Sequence, residues 1–473
     1  MRTLIINNVK LGVLPMEREQ FKSRLGFLLA AAGCSIGLGN FWRFPYITGV
    51  NGGSAFVLMY LACLVLMGVP VVLIELAVGR SSRRSIAMAF DVLETKGTKW
   101  HWFKPFPILG NYLLMSFYVV ITGWLLYYFC LFLTGASTLT ENADSSVIFT
   151  SLLGSPHIME TATVAVILTA CFVCGLGVVK GVERITKPLM ILLFFMLVGL
   201  AVYAMFLPGA GEGLSYYLRP DFGRLLGTDG GKGSFWSSLY DALGQAFFTL
   251  SIGIGSIGIF GSYIAKDRSL VNESLLITCL DTFVAFTAGL IIFPICFSYD
   301  VPAASGPNLI FVALTKIFTV MPAGEIVGTV FFLLMFLAAL TTVIAVIENI
   351  IAMLQELLGL NRKKSAVINF FIIALLSLPV ILGFNVWSFI QIGGNQILDI
   401  LDFLVSNNIL PIGALVYILF VISKSGMGWG RLSEEVNTGS GIRMPGWLRY
   451  YFTIVLPLIM LVILVMGYVQ KFS

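Results

Sequence analysis

The sequence predicts an all-α polytopic membrane protein: a five-plus-five inverted repeat with interrupted helices one and six, plus an eleventh helix. Three observations predict it. The mean hydropathy is +0.95, with 58% hydrophobic and only 11% charged residues, whereas a soluble domain carries about 25% charged residues. Eleven apolar runs reach the roughly 20 residues that cross a bilayer. Two of those runs, five apart, are broken near their middle by glycines.

The runs lie at 25–50, 54–79, 106–134, 160–178, 184–207, 235–263, 270–297, 324–358, 365–383, 390–422 and 447–470. In the first, Gly33 to Pro45 reads GCSIGLGNFWRFP, placing Gly33, Gly37 and Gly39 with an asparagine and an arginine inside a membrane helix. Unwound backbone at membrane depth survives only where protein, water, an ion or a substrate satisfies its N–H and C=O groups, so the break points to a binding site. Spans two to five are uninterrupted by comparable glycine clusters. Span six breaks at Ser251-Ile252-Gly253-Ile254-Gly255-Ser256-Ile257-Gly258, about 215 residues after the first break. Because five is odd, the second set of five starts on the opposite side of the membrane and the repeats are inverted, the arrangement that puts binding sites at the midplane. The predicted divisions are a cytoplasmic segment 1–23, a first repeat 24–207, a second repeat 235–422, and an eleventh helix with a short tail at 447–473.

Basic residues are spread by topology and form no nucleic-acid patch. With the N-terminus inside, cytoplasmic segments hold 22 of the 29 Lys and Arg residues against five outside, the bias expected of cytoplasmic loops. This orientation puts the C-terminus outside and the chain in the cell membrane. Met1 to Gln20 carries charges and lacks the apolar core of a cleavable signal.

Several chemistries are disfavoured. All seven cysteines fall within predicted spans and read as small packers; Cys171-x-x-Cys174 lacks a second ligand pair. His101 and His157, the two histidines, both fall in predicted loops. Gly253-x-Gly-x-x-Gly258 matches the dinucleotide fingerprint but lacks its strand-and-helix context. No Walker-type loop is present, so energy must come from something other than bound ATP; no enzyme activity is expected of this chain.

Intramembrane polar residues are expensive and usually functional. They are Asn40, Arg43, Glu75, Tyr118, Gln245, Thr249, Ser251, Asp281, Thr341, Thr342, Glu348, Asp399 and Asp402. A hard monovalent cation takes oxygen ligands, and Asn40, Thr249, Asp281 and Thr341 have that chemistry. Thr342 and Ser251 could equally bond back to their own helices. Asp281 and Glu75 are harder to explain structurally, since a carboxylate at mid-bilayer costs about 2.5–3.5 kcal/mol even on the mildest scale.

GLGNFWRFP at 37–45, Asn51-Gly52-Gly53, the run Pro70 to Arg80 with Glu75, GQAFFTLSIGIG at 244–255 and AALTT at 338–342 together resemble the neurotransmitter:sodium symporter family. The likeness runs from about Arg18 to Asp402, and eleven spans rather than twelve resemble its bacterial amino-acid-transporting subset. The resemblance implies a sodium-coupled symporter working by alternating access, with the lipid bilayer and an amino acid as its only obligatory partners. It implies two sodium ions. The first would be held by the Ser35 carbonyl, Asn40, Thr249 and Asp281 with the substrate carboxylate, the second by the Gly33 and Ile36 carbonyls, Ala338, Thr341 and Thr342. Where the family has an asparagine this chain has Asp281, and Ala285 replaces the glutamate or chloride-binding serine. Asp281 would then supply the charge that chloride supplies in animal members, so no chloride is expected.

The implied substrate pocket comprises Ser35, Gly37, Leu38, Gly39, Leu114, Tyr118, Phe248, Thr249, Ser251, Ile254, Thr342 and Val346. Monoamine carriers of the family hold an aspartate where Gly37 stands; the glycine implies a substrate that brings its own carboxylate. Leu114, Ile254 and Val346 imply a neutral, apolar or aromatic L-amino acid. Outer closure would bring Arg43 to Asp402 near Gln245, and inner closure would pair Arg18 with Glu356 near Ser262 and Tyr263. The family's glycine–proline unwinding motif in span five is displaced, since Gly181 is followed by Pro188. Three other readings compete: a channel, which needs a continuous pore and a filter; a nontransporting amino-acid sensor, which a fused signalling domain, absent from this sequence, would favour; and a carrier of another small zwitterionic solute.

Overall fold

The computed structural model describes residues 19–135, 145–227, 234–301 and 308–472. Among them the only regular structure is helical, apart from two isolated bridges. Among the described residues, nine helices are long and apolar enough to cross a membrane: Ser54–Ser82, Trp100–Leu133, Pro156–Gly175, Val178–Met205, Leu270–Ser298, Gly324–Leu358, Arg362–Gly383, Ile397–Ile422 and Leu448–Met466. These are spans two to five and seven to eleven. Span one is the bent pair Arg24–Ser35 and Gly39–Val50, whose halves meet at 53°. Span six is Phe235–Thr249 and the short Gly258–Ser262, joined by non-helical turns over 250–257.

One boundary moves. The tenth run was expected from 390, but its helix begins at Ile397, because Gly393 and Gly394 adopt φ of +62° and +79° and turn the chain between Ile392 and Asn395. Sequence periodicity also passed over the short helices outside the spans, including Ala210–Leu218 and Trp429–Val436.

Four π-helical turns, Gly39–Arg43, Leu64–Gly68, Val405–Ile409 and Tyr451–Val455, share a cause. Each precedes a proline by two residues: Pro45, Pro70, Pro411 and Pro457. A proline ring clashes with the carbonyl four residues back and donates no hydrogen bond; widening the preceding turn keeps the helix continuous around that defect.

Span eight is the centre of the molecule, with 83% of its apolar window buried, against 28% for span eleven. That contrast places span eleven at the periphery, packed on spans six and ten. The two interrupted spans meet at their breaks. Ser251 Oγ donates to the Cys34 carbonyl at 3.0 Å, and Ser35 Oγ donates to the Leu250 carbonyl at 3.4 Å. This reciprocal exchange is what two inverted, crossing broken helices produce, and it satisfies carbonyls that the breaks release.

Candidate substrate and ion site

The break in span six is held open by glycine geometry and one buried acid. Gly253 and Gly255 adopt φ of +101° and +73°, a region side chains rarely occupy. Glu75, fully buried in span two, accepts from the Gly253 N–H at 2.5 Å and the Gly258 N–H at 3.2 Å. A carboxylate thus replaces the helical partners that these N–H groups lost.

Beside the break is the first oxygen cluster. Asn40 accepts from the Gly37 N–H through Oδ1 at 2.9 Å, so its amide nitrogen faces Asp281, donating to Oδ1 at 2.8 Å and to the backbone carbonyl at 3.1 Å. Thr249 Oγ1 lies 3.1 and 3.2 Å from the two Asp281 oxygens. All three side chains are buried. Among the described residues no basic side chain pairs with Asp281, which sits midway along span seven. A buried carboxylate met only by a neutral amide and a hydroxyl has the chemistry of a cation site.

The second cluster joins spans one and eight. Thr342 Oγ1 is 3.1 Å from both the Gly33 and Ile36 carbonyls and 3.4 Å from the Ala338 carbonyl, while Thr341 Oγ1 donates to Ala338 at 2.9 Å. Three carbonyls and two hydroxyls offer only two protons among five oxygens. That excess of acceptors suits a desolvated cation.

Between the clusters lies the Gly37–Gly39 backbone. The Leu38 N–H donates to Tyr118 Oη at 2.9 Å. A Cβ on Gly37 would collide with Tyr118 Oη and Thr342 Oγ1, and one on Gly39 would lie 2.9 Å from the Phe248 ring. Gln245 donates to the Gly39 carbonyl at 2.8 Å. Leu38, Tyr118 and Phe248 close one end of a cavity of about 530 Å³ that extends to Arg43, Asp399 and Asp402. Leu114, Ile254 and Val346 are buried and do not line that cavity.

At the mouth of the cavity Arg43 reaches Asp402 at 3.7 Å and lies over the Phe248 ring, 4.7 Å from its centroid. The anticipated outer pair is therefore brought together. At the opposite end Glu356 accepts from the Ser85 N–H at 3.0 Å and from Ser85 Oγ at 2.6 Å; Arg18 lies outside the described residues. Phe21 packs edge-on or tilted against Phe27, Phe260 and Tyr263 there.

Tyr263 donates to Glu348 at 2.7 Å, and the Arg362 guanidinium brackets the same carboxylate at 2.5–3.1 Å. Sequence reasoning left Glu348 without a role and missed Arg362. The signal was available: the two lie 14 residues apart across the Gly359 turn (φ +64°) that joins spans eight and nine. Arg362→Ala should lower the melting transition of the purified protein, with a loss of roughly 2 kcal/mol, below the full value for a buried pair because solvent reaches the guanidinium. Glu348→Leu in the same chain should restore most of it; a single variant that melts like wild type refutes the pairing's importance.

Span five starts on the π-helical turn Val178–Glu183, with Pro188 inside the following helix. Gly181 is required there because a Cβ would strike the Val173 carbonyl. Sequence reasoning also missed Glu183, which accepts from the Lys22 and Ser23 N–H groups at 2.8 and 3.1 Å and so ties the N-terminal segment to span five. It passed over Asn111 and Asn349 as well, two buried amides beside the break in span six.

The sequence matches the sodium:neurotransmitter symporter family over residues 18–147 and 148–473. It is 32% identical over 463 residues to an uncharacterized sodium-dependent transporter of Haemophilus influenzae, covering 95% of this chain and 98% of that one. It is 27% identical over 506 residues to the human sodium- and chloride-dependent taurine transporter, covering 94% and 77%. The structure is similar to the crystal structure of MhsT in complex with L-phenylalanine, with a TM-score of 0.83, 34% sequence identity, and coverage of 95% of this chain and all of that one.

Proposed function

This chain belongs to the sodium:neurotransmitter symporter family, a family of sodium-dependent membrane transporters and not of enzymes, and we propose that it imports a neutral, hydrophobic or aromatic L-amino acid. The observation that carries this reading is the Asn40–Thr249–Asp281 cluster beside the glycine break that runs from Gly37 to Gly39. A substrate carboxylate lying against the Leu38 N–H and Tyr118 hydroxyl faces the positive end of a half-helix and can complete the coordination of a first sodium ion. The second ion occupies the Gly33, Ile36, Ala338, Thr341 and Thr342 oxygens. Support for an amino acid comes from the phenylalanine held by the structurally similar MhsT.

Transport is independent of chloride in this reading, because Asp281 already brings a fixed negative charge to the first ion and the buried Ala285 offers no hydroxyl to an anion. Sodium stabilises the outward-open state, the amino acid completes the first ion site, and loss of the second ion precedes release inside. Each sodium moving down 100 mV contributes about 2.3 kcal/mol. The chain lies in the cell membrane with its N-terminus inside and C-terminus outside, and the repeats run over 24–207 and 235–422.

The test is uptake of labelled tyrosine, tryptophan and leucine into proteoliposomes under an inward sodium gradient, with potassium and gluconate replacing sodium and chloride in turn. Accumulation should require sodium and persist in gluconate. Chloride-dependent uptake would remove the Asp281 argument; saturable binding without uptake would replace the symporter with a sensor.

A further inference from the structure

Tyr118, Leu114 and Asn111 are spaced by four and three residues along span three, and Thr342, Val346 and Asn349 repeat that spacing along span eight. Such spacing sets each trio on one helix face. Both stripes begin at the carboxylate end of the proposed pocket, pass an apolar side chain, and end on a carboxamide. The carboxamides meet: Asn349 Nδ2 donates to Asn111 Oδ1 at 3.1 Å, and Ser256, from the break in span six, donates to the same oxygen at 3.2 Å. Asn111 Nδ2 donates in turn to the carbonyls of Pro107 at 2.7 Å and Ile254 at 2.8 Å.

The network fixes which way each amide faces. Backbone carbonyls only accept, so the end of Asn111 that meets Pro107 and Ile254 is its NH2 group, and its oxygen faces Asn349. Asn349 must then present its own NH2 group to Asn111, which leaves Asn349 Oδ1 free. That oxygen is buried with no hydrogen-bond partner in a side chain with no exposed surface. Few buried acceptors in native proteins are left unmet, and those that are call for an explanation.

We propose that this amide pair is the far wall of the substrate pocket and that Asn349 Oδ1 accepts a hydrogen bond from a donor at the tip of an aromatic substrate side chain, a phenol O–H or an indole N–H. The proposal rests on the amino-acid reading above and narrows it. A wall made of Leu114, Ile254 and Val346 alone would favour phenylalanine, since it would bury the tyrosine hydroxyl without a partner. With Asn349 the order reverses. Asn111 is a positioning residue: it holds the Ile254 carbonyl and takes the Asn349 NH2 group, which leaves the Asn349 oxygen without a partner. Gly110 beside it permits this approach, because a Cβ there would lie 2.7 Å from Cγ2 of both Ile254 and Ile409.

Competition against labelled leucine uptake by the wild-type protein in proteoliposomes decides the matter. Tyrosine and tryptophan should compete about tenfold more tightly than phenylalanine, the scale of one hydrogen bond to an otherwise unmet acceptor. 4-Fluorophenylalanine, close to tyrosine in shape but without the donor, should behave as phenylalanine does. Asn349→Leu should bring tyrosine to the level of phenylalanine, the ratio of their inhibition constants falling from about ten to about one. Phenylalanine equal to or tighter than tyrosine in the wild type would overturn the proposal, as would an Asn349→Leu variant that weakens all substrates in proportion. The wild-type comparison stands even if the variant does not fold. Absence of uptake of every amino acid would bring down the substrate reading itself, a result distinct from uptake without the tyrosine preference.

Discussion

Asp281→Ala is expected to raise the sodium concentration for half-maximal uptake by about three orders of magnitude, so that transport at millimolar sodium disappears. The basis is the isolation of the carboxylate. Asp281 is fully buried, its oxygens meet only the Asn40 amide and the Thr249 hydroxyl, and among the described residues no cationic side chain reaches it. Apart from the substrate carboxylate proposed to complete the site, a desolvated ion bound there has Asp281 as its countercharge, and removing one partner of a buried charge pair typically costs about 3–5 kcal/mol, with each 1.4 kcal/mol a factor of about ten. Asp281→Asn separates charge from ligation, since the amide keeps an oxygen for the ion and loses the charge; its defect should be smaller than that of alanine. Asp281→Ser, with Ala285 unchanged, should make residual uptake respond to chloride. Sodium activation curves for the three variants in chloride and gluconate provide the check. An alanine variant with a wild-type sodium response would exclude Asp281 from the first ion site.

The elements were legible where composition and periodicity suffice. Apolar runs placed the nine long spans and the bent first one because a membrane helix must bury every backbone group internally, and glycine clusters placed the two breaks for different reasons: Gly253 and Gly255 supply φ of +101° and +73°, while Gly37 and Gly39 leave room for Tyr118, Thr342 and Phe248. Within the site, Asn40, Thr249 and Asp281 stood out because each is too polar for its surroundings. What the sequence could not convey was pairing across spans. Glu348 with Arg362, Glu183 with the start of span one, and Asn111 with Asn349 are ordinary residues in one dimension and become networks only when the helices pack. The hairpin at 384–396 was hidden for another reason: its apolar composition continues that of the neighbouring spans, and only the Gly393-Gly394 dipeptide marks the turn.

Gly37 carries the second large effect. A side chain added there meets Tyr118 Oη and Thr342 Oγ1, both well inside van der Waals contact, and neither neighbour can retreat freely. Tyr118 Oη is the acceptor of the Leu38 N–H at 2.9 Å, and Thr342 Oγ1 belongs to the second oxygen cluster at 3.1 Å from the Gly33 and Ile36 carbonyls. Both are buried among close-packed helices, where volume changes of one methyl are felt. Gly37→Ala should therefore reduce substrate affinity by about a hundredfold, the equivalent of about 2.7 kcal/mol, because the methyl occupies the space beside the groups proposed to receive the substrate carboxylate. Tyr118→Phe on the alanine background removes the hydroxyl that the methyl strikes. If the loss is steric, it should recover part of the affinity despite deleting a hydrogen-bonding group; if the two losses simply add, the collision is not the cause. Equilibrium binding of labelled substrate to purified protein at saturating sodium gives the answer without depending on turnover, and a Gly37→Ala variant that binds like wild type would place the substrate somewhere other than between Gly37 and Tyr118.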